Sequence, residues 1–205
     1  GNIVHELVNG YPRPKIDNSR KILGFGVAPQ QLGIGASFRY KDWNASFLVE
    51  GKSGGQMYSG TNVTMMGYGL HQMTIPAGGR EAGFIPDGVM EDGSPVTISI
   101  PQGQQSAYWG RYNDAAEAGI YDSDYFRMRQ MSVGYTFPSS MLEGTFIQAA
   151  SVSLIGKNLF FLHNSVDNID PESAYNAGNS AGLEWFGLAV PRTIGVNVNL
   201  KSVSY

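Results

Sequence analysis

The sequence predicts an all-β fold, an open antiparallel up-and-down meander of about five strands, and three observations predict it. The composition is rich in glycine and rings (27 Gly, 10 Phe, 11 Tyr, 3 Trp) and only 15% charged, which suits short strands and turns better than a helical bundle. Segments of about ten residues alternate between apolar and polar side chains, the pattern of a strand whose two faces meet different surroundings. The connections between them alternate between short and long.

Five segments carry the alternation. In the first, near 32–40, Ile34, Ala36, Phe38 and Tyr40 oppose Gly33, Gly35, Ser37 and Arg39. The two-residue turn Lys41-Asp42 then predicts a tight hairpin. In the second segment, near 43–52, Trp43, Ala45, Phe47 and Val49 oppose Asn44, Ser46 and Glu50, with Leu48 out of pattern. The third, 125–137, sets Met131, Val133, Tyr135 and Phe137 against Gln130, Ser132, Gly134 and Thr136, and Pro138 ends it by removing a ladder donor. The fourth, near 148–161, sets Ala150, Val152 and Leu154 against Ala149, Ser151 and Ser153, and its parity breaks at Ile155-Gly156, where a bulge is expected. The fifth, near 192–201, sets Ile194, Val196, Val198 and Leu200 against Gly195, Asn197, Asn199 and Lys201.

Long connections near 53–124 and 162–190 alternate with short turns at 41–42 and 138–147, the rhythm of a barrel with short turns on one rim and long loops on the other. The first long connection is too long to lie structureless in a compact domain, so it should carry local structure of its own. Aromatics gather near strand ends (Tyr40, Trp43, Tyr135, Phe137, Phe160, Phe161), as in interfacial girdles. Pattern alone leaves a membrane barrel and a soluble β-sandwich both open.

A formal charge of -3 and the lack of a basic patch argue against nucleic-acid binding. The absence of cysteine excludes disulfides, thiolate metal sites and a Cys nucleophile. No apolar run approaches the roughly 20 residues of a transmembrane helix, so membrane contact would be through strands. The opening residues carry no signal-peptide pattern, so either the protein is cytoplasmic or its front end lies upstream.

Specific strings sharpen this reading. Phe38-Arg39-Tyr40-Lys41-Asp42-Trp43-Asn44 resembles the "sYKgfdl" hairpin of SusC/RagA-type TonB-dependent outer-membrane transporters, and Tyr121 to Pro138 (YDSDYFRMRQMSVGYTFP) is similar to that family's "YDaSyiRLrnvsLgYtfP" strand. Gly156-Lys157-Asn158-Leu159-Phe160 resembles "gqNLf", Asp170-Pro171-Glu172 resembles "DPE", and Pro191-Arg192-Thr193 resembles "PRt", in the family's order. The resemblance covers nearly the whole chain, strongest from Tyr121 onward. It departs at Ser202-Val203-Ser204-Tyr205, where the family usually ends on Phe, and in the first 30 residues, which match loosely.

The resemblance implies the C-terminal part of a large transmembrane β-barrel with long extracellular loops, its signal peptide, plug and TonB-interacting parts lying upstream. It implies an importer of glycans or peptides working with a SusD-like surface lipoprotein lid, with TonB engaged through the upstream part and outer-membrane lipid around the barrel. The C-terminus would lie in the periplasm. Thr193, Gly195, Val198, Leu200 and Tyr205 are similar to a barrel-assembly signal. A small outer-membrane barrel or adhesin, and a soluble β-sandwich carbohydrate-binding module, are the alternative functions.

No catalytic constellation, cofactor motif or metal spacing stands out. His5, His71 and His163 lie far apart and read as solvated loop residues. Asp167, Asp170 and Glu172 could hold Ca²⁺ through hard oxygens but lack EF-hand spacing, and a turn with capping carboxylates is the simpler reading. Asp87, Glu91 and Asp92, with Arg80-Glu81, read as loop turns. Among the loop aromatics (Tyr58, Tyr68, Tyr108, Trp109, Tyr112, Tyr175, Trp185, Phe186), Tyr108, Trp109, Tyr112, Tyr175 and Trp185 are candidate ligand or lid contacts, against the plainer reading of loop-to-loop packing.

Overall fold

The computed structural model describes residues 2–173, 178 and 180–202. Five long strands dominate: β1 (Gln30–Tyr40), β2 (Trp43–Ser53), β3 (Tyr125–Phe137), β4 (Ile147–Lys157) and β5 (Thr193–Ser202). They pair antiparallel in the order β5-β4-β3-β2-β1, so every strand lies beside its sequence neighbour. This is the meander that the alternating segments require, because a half-buried strand fixes its register through its apolar face. Lys41, at φ 53, closes the β1–β2 hairpin, and the turn between β3 and β4 holds the short helix Ser139–Leu142.

Chain contacts divide the molecule into two compact units. One holds the meander and is built from Val27–Gly55, Asp122–Ser173 and the segment after Leu188. The other takes its chain from the segment before Gly26, Gln56–Tyr121 and the segment ending at Gly187.

The second unit opens on a hairpin, Val4–Val8 with Tyr11–Pro14, closed by Asn9 and Gly10 at φ 53 and 82. Asn-Gly is the pair that a tight hairpin turn favours. Pro12 and Pro14 fit because Tyr11–Pro14 lies at the sheet edge, where a missing donor costs little. Helices α1 (Gly60–Gly67) and α2 (Gln102–Gly110) follow. The all-β expectation therefore describes the meander, while the long connection folds with helices of its own. Its core is Met66, Ile100, Tyr108, Trp109 and Tyr112, with Phe84 stacked on Trp109 at 5.5 Å.

Candidate functional site

The functional feature of the meander is its two-faced surface. Register carries the apolar positions straight across all five strands: Tyr40, Trp43, Tyr135, Val152 and Val198 form one row. Phe38, Ala45, Val133, Leu154 and Val196 form the next, and Ala36, Phe47, Met131, Gly156 and Ile194 the third. Between them run polar rows, such as Arg39, Asn44, Gly134, Ser153 and Asn197. On the polar side the Ser46 and Ser132 hydroxyls bond at 2.7 Å. On the apolar side Phe38 is 61% exposed, Leu154 55% and Val196 67%. A soluble sheet of this size would cover such a face, because contiguous exposed apolar patches mark contact with an apolar phase or partner.

Rings collect at the short-turn end. Trp43 and Tyr135 lie 5.0 Å apart, Tyr135 meets Phe137 edge-on at 5.3 Å, and the Lys41 ammonium sits 5.5 Å from the Tyr40 ring. This clustering follows from register: the first short turn sets Tyr40 opposite Trp43, and β3 sets Tyr135 on Trp43's other side.

At the other end of β3 the alternation changes phase. Simple parity would place Arg127 and Arg129 on the apolar face with Met131. Instead Leu48 pairs with Gln130 and Val49 with Met128, leaving Arg129 as the extra residue of a bulge. Arg127 then pairs with Glu50 on the polar side, while Phe126 lies over Gly51 on the apolar side, where a Cβ would strike the ring. The expected bulge at Ile155-Gly156 is absent: β4 keeps its register with both neighbours there. Ile155 simply faces the polar side beside Ser132, and Leu159 folds over Gly156. β4's own interruption comes at Asn158, at φ 52, after which Phe161–Asn164 resumes pairing with β3.

The bulge assembles a charge cluster. Arg127, 3% exposed, donates to Asp170 at 2.5 Å and to Glu172 at 2.6 Å, and lies 4.0 Å over the Phe161 ring. Arg129 donates to Glu172 at 2.6 Å, to Glu50 at 2.7 Å and to the Asn158 side chain. The Tyr125 hydroxyl donates to Glu172. Asp170 also accepts from the Val190 N–H, and Asn158 donates to the Pro191 carbonyl. Both ends of the 170–190 loop are thus fastened within this unit. Burial alone would raise the Glu172 carboxyl, but its bonds from Arg129 and Tyr125 outweigh this and hold it below its usual value.

Two of the three carboxylates read as Ca²⁺ candidates are therefore engaged in ion pairs. Asp170 and Glu172 serve two guanidinium groups, and the Asp170 side chain also accepts from the Glu172 N–H as a turn cap. Among the described residues no group of three His, Asp or Glu side chains could hold a metal ion. Asp92 likewise caps a turn at Ser94, and Glu91 pairs with Lys15 at 2.6 Å.

The aromatic candidates separate. Tyr108, Trp109 and Tyr112 lie in the core of the second unit, at 2%, 8% and 9% exposure, so they pack the loop rather than offer a contact surface. Trp185 stays exposed, over Gly60 and 6.3 Å from Tyr58. Tyr175 and Tyr205 lie outside the described residues. Thr193, Gly195, Val198 and Leu200 all sit on β5, which at the end of the strand order pairs only with β4 among the described residues.

The sequence reading missed two buried groups. His5, expected in solvent, is fully buried, its Nε2 3.1 Å from the Tyr108 hydroxyl, and burial lowers its pKa. Glu184, also fully buried, accepts from the hydroxyls of Ser59 and Thr61 at 2.8 and 2.5 Å and from the Gly187 N–H at 3.1 Å. Ser59 caps α1, so the carboxylate sits at a helix N-terminus, whose dipole favours it. Neither residue carries a local signal, since the Tyr108 hydroxyl at His5 and the Ser59 and Thr61 hydroxyls at Glu184 all lie far away in sequence.

No family model matches the chain. A curated relative, the TonB-dependent receptor P3 of Formosa agariphila, is 23% identical over 188 residues, which is 89% of this chain and 17% of the relative. Among solved structures, the RagAB peptide importer in its closed-closed state superposes with a TM-score of 0.60 at 15% identity, over 95% of this chain and 19% of that one. Its open-open state gives 0.57 at 16% identity, over 97% and 20%. The chain thus spans about a fifth of the length of the relatives it matches. In motifs and fold, it resembles part of the barrel of the SusC/RagA type of TonB-dependent receptor.

Proposed function

We propose that this chain is the C-terminal portion of the wall of a TonB-dependent outer-membrane importer, with the apolar face of the meander against lipid and the polar face toward the pore. The observation that carries the reading is the uncovered apolar face running in register across all five strands. A strand of eleven residues such as β1 spans about 33 Å, and at the 35–45° tilt of outer-membrane barrels that gives about 25 Å of height, the height of their apolar band. The tyrosine and tryptophan row at the short turns supports a periplasmic interface there, and in this reading residues 53–124 and 162–190 lie on the cell surface and the C-terminus in the periplasm. β5 would carry the assembly signal of Thr193, Gly195, Val198, Leu200 and Tyr205, and its open edge would pair with a strand of the same barrel, since lipid does not tolerate unpaired main chain.

In this reading the whole protein takes up glycans or peptides with a SusD-like lipoprotein lid, and TonB acts through a part outside this chain. The relatives' names support an importer, and the RagAB title supports peptide as one cargo class. A soluble sandwich fits less well, because Phe38, Val133 and Val196 would need a second sheet over them and remain exposed. The test is a pair of neighbours in the full-length protein. Val196→Arg should cost about 2–4 kcal/mol if it lies near the bilayer midplane, and Asn197→Arg much less. Equal loss of assembled barrel for both would overturn the assignment.

A further inference from the structure

We infer that a cleft in the second unit is a subsite for a short peptide with a free, charged end. The cleft has a volume of about 890 Å³, within the range of small-ligand sites, and is lined by Ile3, Val4, Ile16, Asp17, Lys21 and Glu117 among others. It lies between the segment that leads into and out of the Val4–Pro14 hairpin and the turn after Tyr112.

Three features select the ligand class. The aliphatic part of the wall comes from Ile3, Val4 and Ile16, and the ring at the site, Tyr112, is packed into the core. An aliphatic side chain can be buried against this apolar wall, whereas the ring at the site is not free for a sugar face to stack on. The rim carries both signs of charge: Lys21 pairs with Asp17 at 2.9 Å and also feels Glu117, and Lys15 pairs with Glu91 at 2.6 Å. All are exposed, and exposed pairs are weak enough to exchange for a ligand's ammonium or carboxylate. The backbone completes the set. After the strand ends at Pro14, Ile16, Asp17 and Asn18 make no main-chain hydrogen bond to another segment among the described residues. An extended peptide can satisfy such free N–H and C=O groups while its alternate side chains find pockets.

The inference rests on the importer reading only for the source of such peptides. The test uses purified full-length protein in detergent and titration calorimetry with three probes: the pentapeptide Val-Ser-Val-Ser-Val with free ends, the same peptide acetylated and amidated, and cellopentaose. The free peptide should bind best. Ile16→Arg, which puts a charge into the apolar wall, should weaken it by about tenfold or more, and limited proteolysis checks that the variant keeps its fold. If it does not, the exposed pair Asp17→Asn with Glu117→Gln decides, lowering affinity for the free peptide severalfold while leaving the capped one unchanged. No binding of the free peptide, binding indifferent to these changes, or equal binding of cellopentaose at the same residues would overturn the subsite. A protein that assembles normally yet ignores the peptide sinks the subsite alone. One that binds the peptide but tolerates Val196→Arg as well as Asn197→Arg sinks the barrel reading alone.

Discussion

The two units solve the same problem, where to put apolar side chains, in opposite ways. The second unit turns its rings inward: Tyr108, Trp109 and Tyr112 meet one another within 6.0 Å, Phe84 meets Tyr108 and Trp109, and the three leave almost no surface. The meander turns its rows of Phe, Val and Leu outward and keeps polar and small residues on its other face. The difference teaches that exposed apolar surface in this chain is not a failure to find a core. One region closes its own core with short helices and loops, and the other leaves its apolar face uncovered.

That contrast can be broken most directly by attacking what holds each unit. Trp109→Ala should cost about 3–5 kcal/mol by leaving a cavity in the inward core. Proteolysis of the full-length protein should then accelerate within 56–121 while the meander stays intact. Arg127→Met should cost a similar amount, about 3–5 kcal/mol, because it leaves Asp170 buried without its cation. Cleavage should in this case appear near 165–173. If either substitution loosens both regions equally, the two units are not separate bodies of stability.

pH sharpens the comparison with a smaller effect. His5 is held neutral by burial, its folded pKa lowered from 6.5, so the unfolded form binds more protons as the solution is acidified. Its contribution is complete above about pH 6.5 and is lost as pH falls through that value toward the folded pKa. Glu172 also has a lowered folded pKa, but its stabilisation is present above the usual carboxyl range near pH 4.3 and lost only below it. Between pH 7 and 5 the second unit should therefore become more susceptible to protease while the Arg127–Glu172 cluster holds, and His5→Gln should remove this dependence. Susceptibility that rises first at 165–173 would contradict it.

The smallest expected effect is on the polar face. Ser132→Ala removes one hydroxyl bond to Ser46 at a half-buried site and should cost about 1 kcal/mol or less. Its neighbour Val133→Asp, on the apolar side, should impair assembly clearly more. Similar behaviour of the two would erase the distinction between the faces.

Much of the meander was legible because a strand's side chains alternate with period two. Ile194, Val196, Val198 and Leu200 could be assigned to one face with no knowledge of their neighbours, and Pro138 marked the end of β3. The phase of that alternation is another matter. Extending the parity of Met131 back along the strand would put Arg127 and Arg129 on the apolar face, and only pairing with β2 reveals the extra residue that turns Arg127 toward Glu50. For the same reason a bulge expected at Ile155-Gly156 was misplaced: a lapse in hydrophobicity resembles a lapse in register, and only the partner strands tell them apart.

By itself, then, the sequence determined the number and facing of the long strands, the alternation of short and long connections, and the family that its motifs resemble. Those are local properties, written in periodicity and in contiguous strings. The tertiary structure alone decided that Tyr108, Trp109 and Tyr112 are core, that His5 and Glu184 are buried, and that Asp170 and Glu172 pair with guanidinium groups. Each of these depends on a partner 40 or more residues away, such as Arg127 for Asp170 and Ser59 for Glu184. No pattern along the chain encodes such a distance, because burial and pairing arise only when the chain closes on itself.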